Sequence, residues 1–448
     1  MLFCGYVQRV RFRRDSVRSA PARLKACPAE EPEGARMTKQ ALVQRRTLLV
    51  LVIAQVLSGA GLAAGITVGA LLAEDVLGST SLAGVPAALF TVGAAGAAYA
   101  VGQISQRRGR RAGLASGYAA GAIGSGGVVI AAVAESLPLL TLSLLIYGSG
   151  LATNLQARYA GADLAEPARR GSAISIVMVA TTAGAVAGPN TVTLSGDIAS
   201  HWGIPPLAGP FMLATLAYGL ASLVLYVGLR PDPLLLAREI AAAAPQTAET
   251  GAMRAPRLLA SGAAVMTMTQ LVMIAIMTMT PIHMLHHGHS LGAAGIVIAV
   301  HVAAMYLPSP VSGMLVDRFG ARLVAVAAGV TLIAAGGTAA TSESVPGLIA
   351  ALALLGLGWN LGLISGTTMI TNAAPIQQRA RIQGGVDLGI ALAGAGGGFA
   401  SGFIVASTSY SVLALTGAII AACIVPLLAF RSVADKNHSE RKVTNRHK

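Results

Sequence analysis

Charged side chains are scarce in this chain of 448 residues, where Asp, Glu, Lys and Arg together account for 11%. A soluble globular protein carries about a quarter of its residues as charged side chains. Hydrophobic residues account for 54% here, and the mean hydropathy is +0.68. The shortage of charge therefore excludes a soluble domain and indicates a protein that crosses a membrane several times.

Residues for several kinds of chemistry are also missing. The three cysteines, Cys4, Cys27 and Cys423, show no paired spacing, so neither a disulfide framework nor a zinc site is indicated. The sequence contains no G-x-x-x-x-G-K-[ST] loop, which argues against ATP as the energy source within this chain. A membrane enzyme would need a nucleophile with its base, or two carboxylates at one depth. Only Asp387 of the eighteen carboxylates lies clearly within an apolar stretch, so we expect no catalytic residues, no enzymatic activity and no cofactor.

Twelve apolar stretches are long enough to cross a bilayer as helices, which takes about 20 residues each. Alternating strands of about ten residues, the mark of an outer-membrane barrel, are absent, and Gly and Ala recur inside the stretches as close helix packing requires. We predict an all-α membrane protein with twelve transmembrane helices. The predicted spans, numbered 1 to 12, are residues 47–73, 83–104, 111–133, 138–160, 172–196, 207–229, 258–282, 291–313, 322–341, 345–371, 381–405 and 410–430.

Lys and Arg are distributed unevenly between the two faces of this arrangement. They occupy the segment before span 1, the loops after spans 2, 4, 6 and 8, the start of span 11 and the carboxyl-terminal tail. The six loops of the other face hold none and contain carboxylates instead: Glu74, Asp75, Glu135, Asp197 and Glu343. Because basic residues stay on the cytoplasmic side, we predict a multi-pass protein of the plasma (inner) membrane with both termini in the cytoplasm.

The formal net charge of +14 belongs mainly to the two ends of the chain. Residues 1–46 carry eleven basic and four acidic side chains and residues 431–448 carry six and two, so +7 and +4 lie there. Such clusters bind anionic headgroups, so membrane lipids are expected partners and nucleic acid is not. Residues 1–36 resemble no secretory signal or transit peptide. Either translation begins at Met37, or residues 1–46 form a disordered cytoplasmic extension.

One loop pattern occurs twice, with matching glycines 211 residues apart. The shared pattern is G-x-x-x-x-R-x-G-x-R, and internal duplication of this kind defines the architecture of many membrane transporters. We therefore predict two six-helix bundles, residues 47–229 and 258–430, around a central cavity, with a cytoplasmic linker over 230–257 and a basic tail over 431–448. The loop after span 2 is Gly102-QISQ-Arg107-Arg108-Gly109-Arg110-Arg111, and the loop after span 8 is Gly313-MLVD-Arg318-Phe319-Gly320-Ala321-Arg322.

These loops resemble the signature G-x-L-x-D-R-x-G-R-R of the major facilitator superfamily, and the resemblance covers roughly residues 40–430. In span 5, Gly184-AVA-Gly188-Pro189 resembles the G-x-x-x-G-P core of the antiporter motif of bacterial drug:proton exporters, but the glycines that should follow are replaced by Asn190, Thr191 and Val192. The resemblance implies a monomeric secondary transporter working by alternating access, with proton-coupled efflux of a small, lipophilic organic solute. Proton-coupled uptake of a metabolite, and a transporter-like receptor that moves no solute, are the alternatives.

The repeated loops are interpreted as gates on the cytoplasmic side. Their glycines permit tight turns and close helix approach, and their arginines can pair with carboxylates or helix carboxyl ends of the opposite half. The alternative is that the arginines only satisfy the positive-inside rule. In the superfamily the acidic loop position carries the ion pairs of the gate, and here it is Asp317 in the second half but Gln106 in the first. The first-half gate should depend on neutral hydrogen bonds, or on Arg158 and Asp163 near the end of span 4.

Two ionisable residues inside spans are candidates for proton coupling, because a charge in the membrane costs about 2.5 to 3.5 kcal/mol on insertion scales. Asp387 lies about two helical turns into span 11. The alternative role for Asp387 is a structural ion pair with Arg381 or with an arginine of the loop after span 2. His301 lies near the middle of span 8, where imidazole titrates near physiological pH, and its alternative role is packing.

Uncharged polar residues in the spans are the candidates for lining the cavity. Methionines crowd span 7, which suits a cavity for varied apolar shapes, although ordinary packing explains them equally well. With few buried charges, a neutral or weakly charged solute fits better than a sugar phosphate. The candidate cavity residues are Gln55, Asn154, Asn190, Gln270, Trp359 and Asn360.

Four of the eight histidines lie in the stretch MTPIHMLHHGHSLG between spans 7 and 8, on the predicted outer face. Imidazoles at such spacing can hold zinc or copper, but no cysteine or nearby carboxylate completes a site. An external pH-sensitive latch and a merely polar loop are the other interpretations, and we predict no metal. The four residues are His283, His286, His287 and His289.

Overall fold

The computed structural model describes residues 33–77, 85–243 and 256–428, with side chains described in these ranges outside 33–39, 63–88 and 185–190. The predicted extension up to residue 32, the linker segment 244–255 and the tail from residue 429 lie outside the described residues. The chain divides into Met1–Lys39 and Gln40–Lys448, and the architecture below is that of the second unit.

The regular structure of the described residues is helical. It consists of fifteen α-helices, two short 3-10 turns and a further helical segment at residues 424–428, with no strand. The helices are α1 Glu33–Leu77, α2 Val85–Arg108, α3 Arg110–Val133, α4 Leu137–Ala162, α5 Arg170–Asn190, α6 Val192–His201, α7 Gly209–Gly228, α8 Pro233–Ala243, α9 Pro256–His286, α10 Leu291–Tyr306, α11 Ser309–Phe319, α12 Ala321–Thr341, α13 Val345–Ala373, α14 Arg379–Ser407 and α15 Tyr410–Ala422.

Ten segments within the described ranges are long and apolar enough to cross a membrane. They correspond to predicted spans 1, 3, 4 and 6 to 12, while spans 2 and 5 correspond to α2 and to α5 with α6. The prediction of an all-α membrane protein is confirmed, because each apolar stretch long enough for a bilayer is helical.

The helices differ from the predicted spans in three places. Span 5 is divided at Thr191, whose backbone leaves helical geometry between α5 and α6. Span 8 is divided into α10 and α11, because Pro308 has no N–H with which to continue α10 and instead precedes α11. Helix α9 continues through Pro281 as far as His286, so two of the four clustered histidines are helical rather than in a loop.

Two clusters of buried hydrophobic residues form most of the core of the described residues, one within the first half and one centred on the second half. In the first half, Tyr118, Tyr147, Phe211 and Tyr218 are fully buried and their rings pack together at centroid distances of 5.5 to 5.9 Å. The core of the second half is built mainly from aliphatic and methionine side chains of α9, α10, α12, α13 and α15. The second cluster also includes Ala162 of α4 and Ile174 and Met178 of α5, so it extends across the contact between the halves.

The two halves approach most closely through glycines that occupy equivalent positions in the repeat. A methyl group on Gly102 of α2 would lie 2.7 Å from the Cα atom of Gly384 in α14. A methyl group on Gly313 of α11 would lie 2.6 Å from the carbonyl oxygen of Gly171 in α5. Only a residue without a side chain permits backbones this close, so the two junctions, α2 with α14 and α5 with α11, depend on the glycines of the repeated loops and their neighbours.

Candidate functional site

A cavity of about 130 Å³ lies between the halves. Its walls come from α2 and α4 of the first half and from α9, α13 and α14 of the second. Most of the lining is aliphatic, with a small number of polar groups at defined places, as in binding pockets for small organic molecules. The lining residues are Thr91, Ala94, Ala98, Leu151, Ala152, Leu155, Arg158, Gln270, Ile274, Trp359, Leu363, Asp387, Ile390, Ala391 and Gly394.

Gln270 and Trp359, together with Thr91, form the neutral polar part of the lining. The indole Nε1–H of Trp359 donates to the side-chain oxygen Oε1 of Gln270 at 2.7 Å, which holds α13 to α9. The ring of Trp359 also packs edge-on against Tyr306, with centroids 5.8 Å apart. This arrangement orients an amide and an aromatic side chain within an otherwise apolar wall. Both residues were among the predicted cavity residues.

An ion pair between the halves closes one end of the cavity. Arg158 Nη2 donates to Asp387 Oδ1 at 2.6 Å, and the side chains are 0% and 5% exposed. Tyr159 donates its hydroxyl proton to the same oxygen at 3.1 Å, and Arg158 Nε donates to Thr367 Oγ1 at 3.0 Å. Arg158 lies in α4 and Asp387 in α14, so the pair joins the two bundles. Within the described part of the chain, the second carboxylate oxygen, Asp387 Oδ2, is buried and has no hydrogen-bond partner.

The partner of Asp387 differs from the prediction. The sequence suggested Arg381 or an arginine of the loop after span 2, and it grouped Arg158 with Asp163 instead. In the structure Arg158 turns toward the cavity and Asp163 turns away from it. Both residues lie inside their helices, since Arg158 is one turn before the end of α4 and Asp387 two turns after the start of α14, but this depth alone did not identify them as partners.

Beyond this pair, the arginine-bearing ends of the helices meet at what we call the basic face. It is formed by the α2–α3, α4–α5, α11–α12 and α13–α14 connections and by helix α8 with Asp232 before it. Asp163, with a 0% exposed side chain, accepts from Arg110 Nε at 2.7 Å and lies 3.7 Å from Arg379 Nη1. Arg110 also donates to the side-chain oxygen of Gln383 in α14. This buried network therefore crosses from the first half, α3 and the end of α4, to the start of α14.

The loop of the second half holds the first half through a carboxylate. Asp317 accepts from the backbone N–H groups of Gly171 and Ser172, both at 2.8 Å, and from the hydroxyl of Ser172 at 2.5 Å. These groups form the amino-terminal turn of α5. A negative charge is stabilised at a helix amino terminus, where unpaired N–H groups and the helix dipole point toward it. Asp317 is therefore a charged cap supplied by the opposite half.

The loop of the first half makes the equivalent contact without a charge. Gln106 accepts from the backbone N–H of Arg381 at 3.3 Å and donates to the carbonyl of Gln377, both at the amino-terminal end of α14. The glycines that follow in the two loops share one conformation, because Gly109 and Gly320 have φ of 89° and 84°. The repeat in sequence is therefore a repeat in backbone geometry, with the charge changed at one position.

The other arginines of the loops lie toward the outside. Arg107, Arg108 and Arg318 are exposed. The guanidinium of Arg111 lies over the ring of Tyr226 at 5.4 Å and that of Arg318 over Phe319 at 5.3 Å. Arg110, which is fully buried, is therefore the loop arginine that joins the network between the halves.

Several predicted cavity residues lie elsewhere. Gln55 and Asn154 are fully buried inside the first half, where Gln55 donates to Thr181 Oγ1 at 3.0 Å and Asn154 to Ser58 Oγ at 2.9 Å. Asn360 is buried inside the second half and donates to Ser309 Oγ at 2.7 Å. The side-chain N–H groups of these amides therefore donate within their own bundle, since a polar group in the membrane interior needs a partner there. The side chain of Asn190 lies outside the described side chains.

His301, the second coupling candidate, is buried within the second half. Its Nδ1 lies 2.9 Å from the carbonyl oxygen of Leu352 in α13, and it is not among the cavity-lining residues given above. In the antiporter-like motif, Gly184 packs directly against the backbone of α1 at Val56 and Ala60. Gly188 and Pro189 lie in the range 185–190, which is outside the described side chains.

The clustered histidines lie at the opposite face, next to the α12–α13 connection. His283 stacks on Tyr410 and lies beside His287, with ring centroids 4.2 Å apart in each case. His289 Nε2 lies 2.7 Å from the carbonyl oxygen of Glu343, and His287 Nε2 lies 3.8 Å from its carboxylate. His286 ends α9. Within the part of the chain that the structure describes, no group of three or more His, Cys, Asp or Glu is arranged to hold a metal ion.

Four residues of the basic face were not predicted as site residues from the sequence. Arg379 and Gln383 of α14 join the Asp163 network. Asp232, just before α8, accepts from the backbone N–H of Arg111, and Arg238 within α8 donates to the carbonyl oxygen of Gln106. The residues of α14 follow a helix start, and their spacing of four would have placed them on one side. The residues of α8 carried no comparable signal.

Two bundles around a central cavity, closed at one end by contacts between the bundles, define a secondary transporter. The family model of the Major Facilitator Superfamily matches residues 6–189, 51–306 and 262–447. The chain belongs to the major facilitator superfamily, and it is a multi-pass membrane transporter of that family.

Relatives of the chain include transporters from two bacteria. The MFS-type transporters YdeG and YddS of Bacillus subtilis are 53% and 48% identical to it, over 88% and 89% of this chain and 93% and 94% of theirs. The riboflavin transporter RfnT of Brucella anthropi is 31% identical over 87% of this chain and 96% of its own length.

Solved structures agree on the fold. The transporter FucP in its outward conformation is 15% identical, with a TM-score of 0.67 over 86% of this chain and 98% of FucP. The human organic anion transporter MFSD10 is 16% identical, with a TM-score of 0.65 over 86% of this chain and 99% of MFSD10. At this identity the likeness shows the shared fold alone.

Proposed function

We propose that this transporter moves a small, largely apolar organic solute across the plasma membrane by alternating access, coupled to protons, and most readily as efflux. The observation that carries the proposal is the Arg158–Asp387 ion pair. It lies at the end of an apolar cavity and joins the two halves that alternating access must separate.

The lining of the cavity supports the solute class. Alanine, leucine and isoleucine side chains form most of its surface, and the neutral polar groups are those of Thr91, Gln270 and Trp359. A sugar phosphate or dicarboxylate would need several charged partners. The charges at this site already neutralise one another in the Arg158–Asp387 pair. A planar or aliphatic solute with one or two hydrogen-bonding groups fits these walls.

Asp387 is the proposed proton-coupling residue. A proton on Asp387 would remove the charge that holds Arg158, weakening the contact between α4 and α14. Opening of this end of the cavity would then be linked thermodynamically to protonation. His301, bonded to α13 within one half, is the weaker candidate because its protonation would not directly alter a contact between halves.

The orientation and direction belong to the same proposal. We place the basic face and both termini in the cytoplasm because the arginines of the chain collect there, with membrane lipids around a monomer. The G-x-x-x-G-P sequence at Gly184 supports export.

A second candidate is proton-coupled uptake of a flavin-like metabolite. The similarity to the riboflavin transporter RfnT, 31% identical over 87% of this chain, favours it. Isoalloxazine is planar, mostly apolar and rimmed with hydrogen-bonding atoms, which also suits a wall containing Trp359 and Gln270.

Purified protein in liposomes with an imposed proton gradient tests both candidates. We expect a labelled lipophilic cation or labelled riboflavin to be transported, with its accumulation driven by the gradient. In Asp387→Asn, gradient-driven accumulation should be lost while exchange of solute across the membrane at equal pH continues. Asp197→Asn, a change of an exposed carboxylate, is the matched control and should behave as the unaltered protein.

Three results would count against the proposal. Gradient-driven transport by Asp387→Asn at the unaltered rate would remove Asp387 from coupling. Loss of coupling in His301→Ala with Asp387→Asn unaffected would transfer that role to the histidine. Binding without movement of any solute in a broad panel would identify a receptor rather than a transporter.

A further inference from the structure

Helix α8 is the feature of the basic face that the transport proposal does not use. It lies in the connection between the two bundles and begins at Pro233. Asp232, just before it, accepts from the N–H groups of Leu234 and Leu235 at 3.0 and 3.1 Å. The same carboxylate accepts from the backbone N–H of Arg111 at 2.7 Å. Asp232 therefore caps α8 and α3 together and fixes the start of the linker helix to the first half.

Arg238, two turns further along α8 toward its end, contacts both halves at once. Its Nη1 donates to the carbonyl oxygen of Gln106 at 2.9 Å, and its Nε donates to the carbonyl oxygen of Ile376 at 3.3 Å. Gln106 lies in the last turn of α2 in the first half. Ile376 lies in the connection between α13 and α14 in the second half. A guanidinium has donors in a fixed planar fork, so one side chain can hold two backbone segments at a set separation.

The charge of Arg238 is favourable at the carboxyl-terminal end of α2. The last carbonyl groups of a helix carry the negative end of its dipole and lack partners within the helix. Gln106 O is such a group in α2, and the guanidinium supplies a positive charge there. The side chain of Gln106 contacts Gln377 in the same α13–α14 connection and the backbone N–H of Arg381 in the first turn of α14. Arg238 and Gln106 thus act side by side on one junction.

We propose that Arg238 is a positioning residue that holds the basic face closed, with α8 and its Asp232 cap acting as a clamp between the halves. Opening the basic face separates α2 from α14, which are packed together through Gly102 and Gly384. The α13–α14 connection, which leads into α14, then moves away from α2. Arg238 can then keep one acceptor and must lose the other. The linker thereby biases the conformational equilibrium and adds a charge to the junction where the loop of the first half has a neutral glutamine.

A distance measurement between spin labels tests this proposal without any substrate. The labels are placed at Arg108→Cys in the first half and Met314→Cys in the second, both exposed at or near the basic face, after Cys4, Cys27 and Cys423 are changed to Ser. Double electron–electron resonance on the protein in lipid nanodiscs then gives the populations of short (closed) and long (open) separations. Neither labelled residue belongs to α8, and the distance between them reports the state of the basic face directly.

In Arg238→Gln we expect the ratio of open to closed populations to rise about tenfold, the change expected for a lost charge-assisted hydrogen bond. Arg238→Lys keeps the charge but not the fork, so it should give a smaller rise in the same direction. Arg230→Gln removes an exposed arginine from the same connection and should leave the distances unchanged. If Arg238→Gln and Arg230→Gln shifted the distances equally, the cause would be a general loss of positive charge and the proposal would be wrong.

Unchanged distances in both Arg238 variants, with Arg230→Gln also unchanged, would overturn the proposal. If Arg238→Gln is not monodisperse after purification, the shift in Arg238→Lys decides the question. Because no solute is involved, the result is independent of whether the transported compound and the proton coupling are as proposed. A transporter that fails every transport assay could still show the clamp.

Discussion

The two loops at the basic face have the same backbone and the same spacing but hold the opposite half by different means. Asp317 places a full negative charge on the amino terminus of α5, and Gln106 places an uncharged amide on the amino terminus of α14. Hydrogen bonds to a charged group contribute about 1.5–3 kcal/mol and neutral ones about 0.5–1.5 kcal/mol. The substitution of one side chain therefore makes the two equivalent contacts between the halves unequal in strength.

The first-half junction receives its charges from elsewhere. Asp163, at the end of α4, accepts from Arg110 of the α2–α3 loop that contains Gln106, and it lies 3.7 Å from Arg379 of α14. Arg238 reaches the junction from α8. A repeated motif therefore need not keep its charges at the repeated positions, provided that side chains of neighbouring helices supply charges to the same junction.

The largest effect is expected where the first-half junction depends on buried charge. Asp163→Ala leaves Arg110 and Arg379 buried without their carboxylate, and breaking a buried ion pair costs about 3–5 kcal/mol. We expect a lower unfolding temperature and a basic face that is mostly open in the spin-label distances described above. Glu166→Ala changes an exposed carboxylate in the same connection and is the control. An Asp163→Ala protein as stable and as closed as this control would show that the network contributes little.

The second-half loop should be the next most sensitive. Asp317→Asn keeps the shape of the side chain but removes the charge that accepts from Gly171 and Ser172. We expect the closed state to lose about 1.5–3 kcal/mol relative to the open state, read from the same label pair. Asp197→Asn at the opposite face serves as the control. If Asp317→Asn leaves the distances unchanged, the helix terminus does not need the charge.

Much of the fold could be predicted because long apolar stretches and a duplicated loop are local signals. The twelve spans, and the match between Gly109 and Gly320, required no knowledge of contacts between distant residues. Asp387 was identifiable as unusual from its depth alone. Its partner was not, because Arg158 is 229 residues away and their meeting depends on the rotation of α4 and α14 about their axes.

Polar residues inside the spans were harder to assign for the same reason. Gln55, Asn154 and Asn360 look like cavity residues in the sequence, since composition alone does not show which side of a helix faces its own bundle. The structure places them in hydrogen bonds within one half. The role of α8 was also hidden, because contacts made by a linker depend on where the two bundles place its ends.

Gln106→Ala should have the smallest effect. It removes two neutral hydrogen bonds, to Gln377 and Arg381, at a partly exposed site, so the closed state should lose about 0.5–1.5 kcal/mol. Gln378→Ala, an exposed glutamine in the connection that Gln106 contacts, is the control. In the double variant Gln106→Ala/Arg238→Gln, the free energy that the closed state loses should differ from the sum of the two single losses. Both side chains act on one connection, and neighbouring contacts couple. A shift as large as that of Asp317→Asn would instead mean that the neutral loop holds the halves as firmly as the charged one.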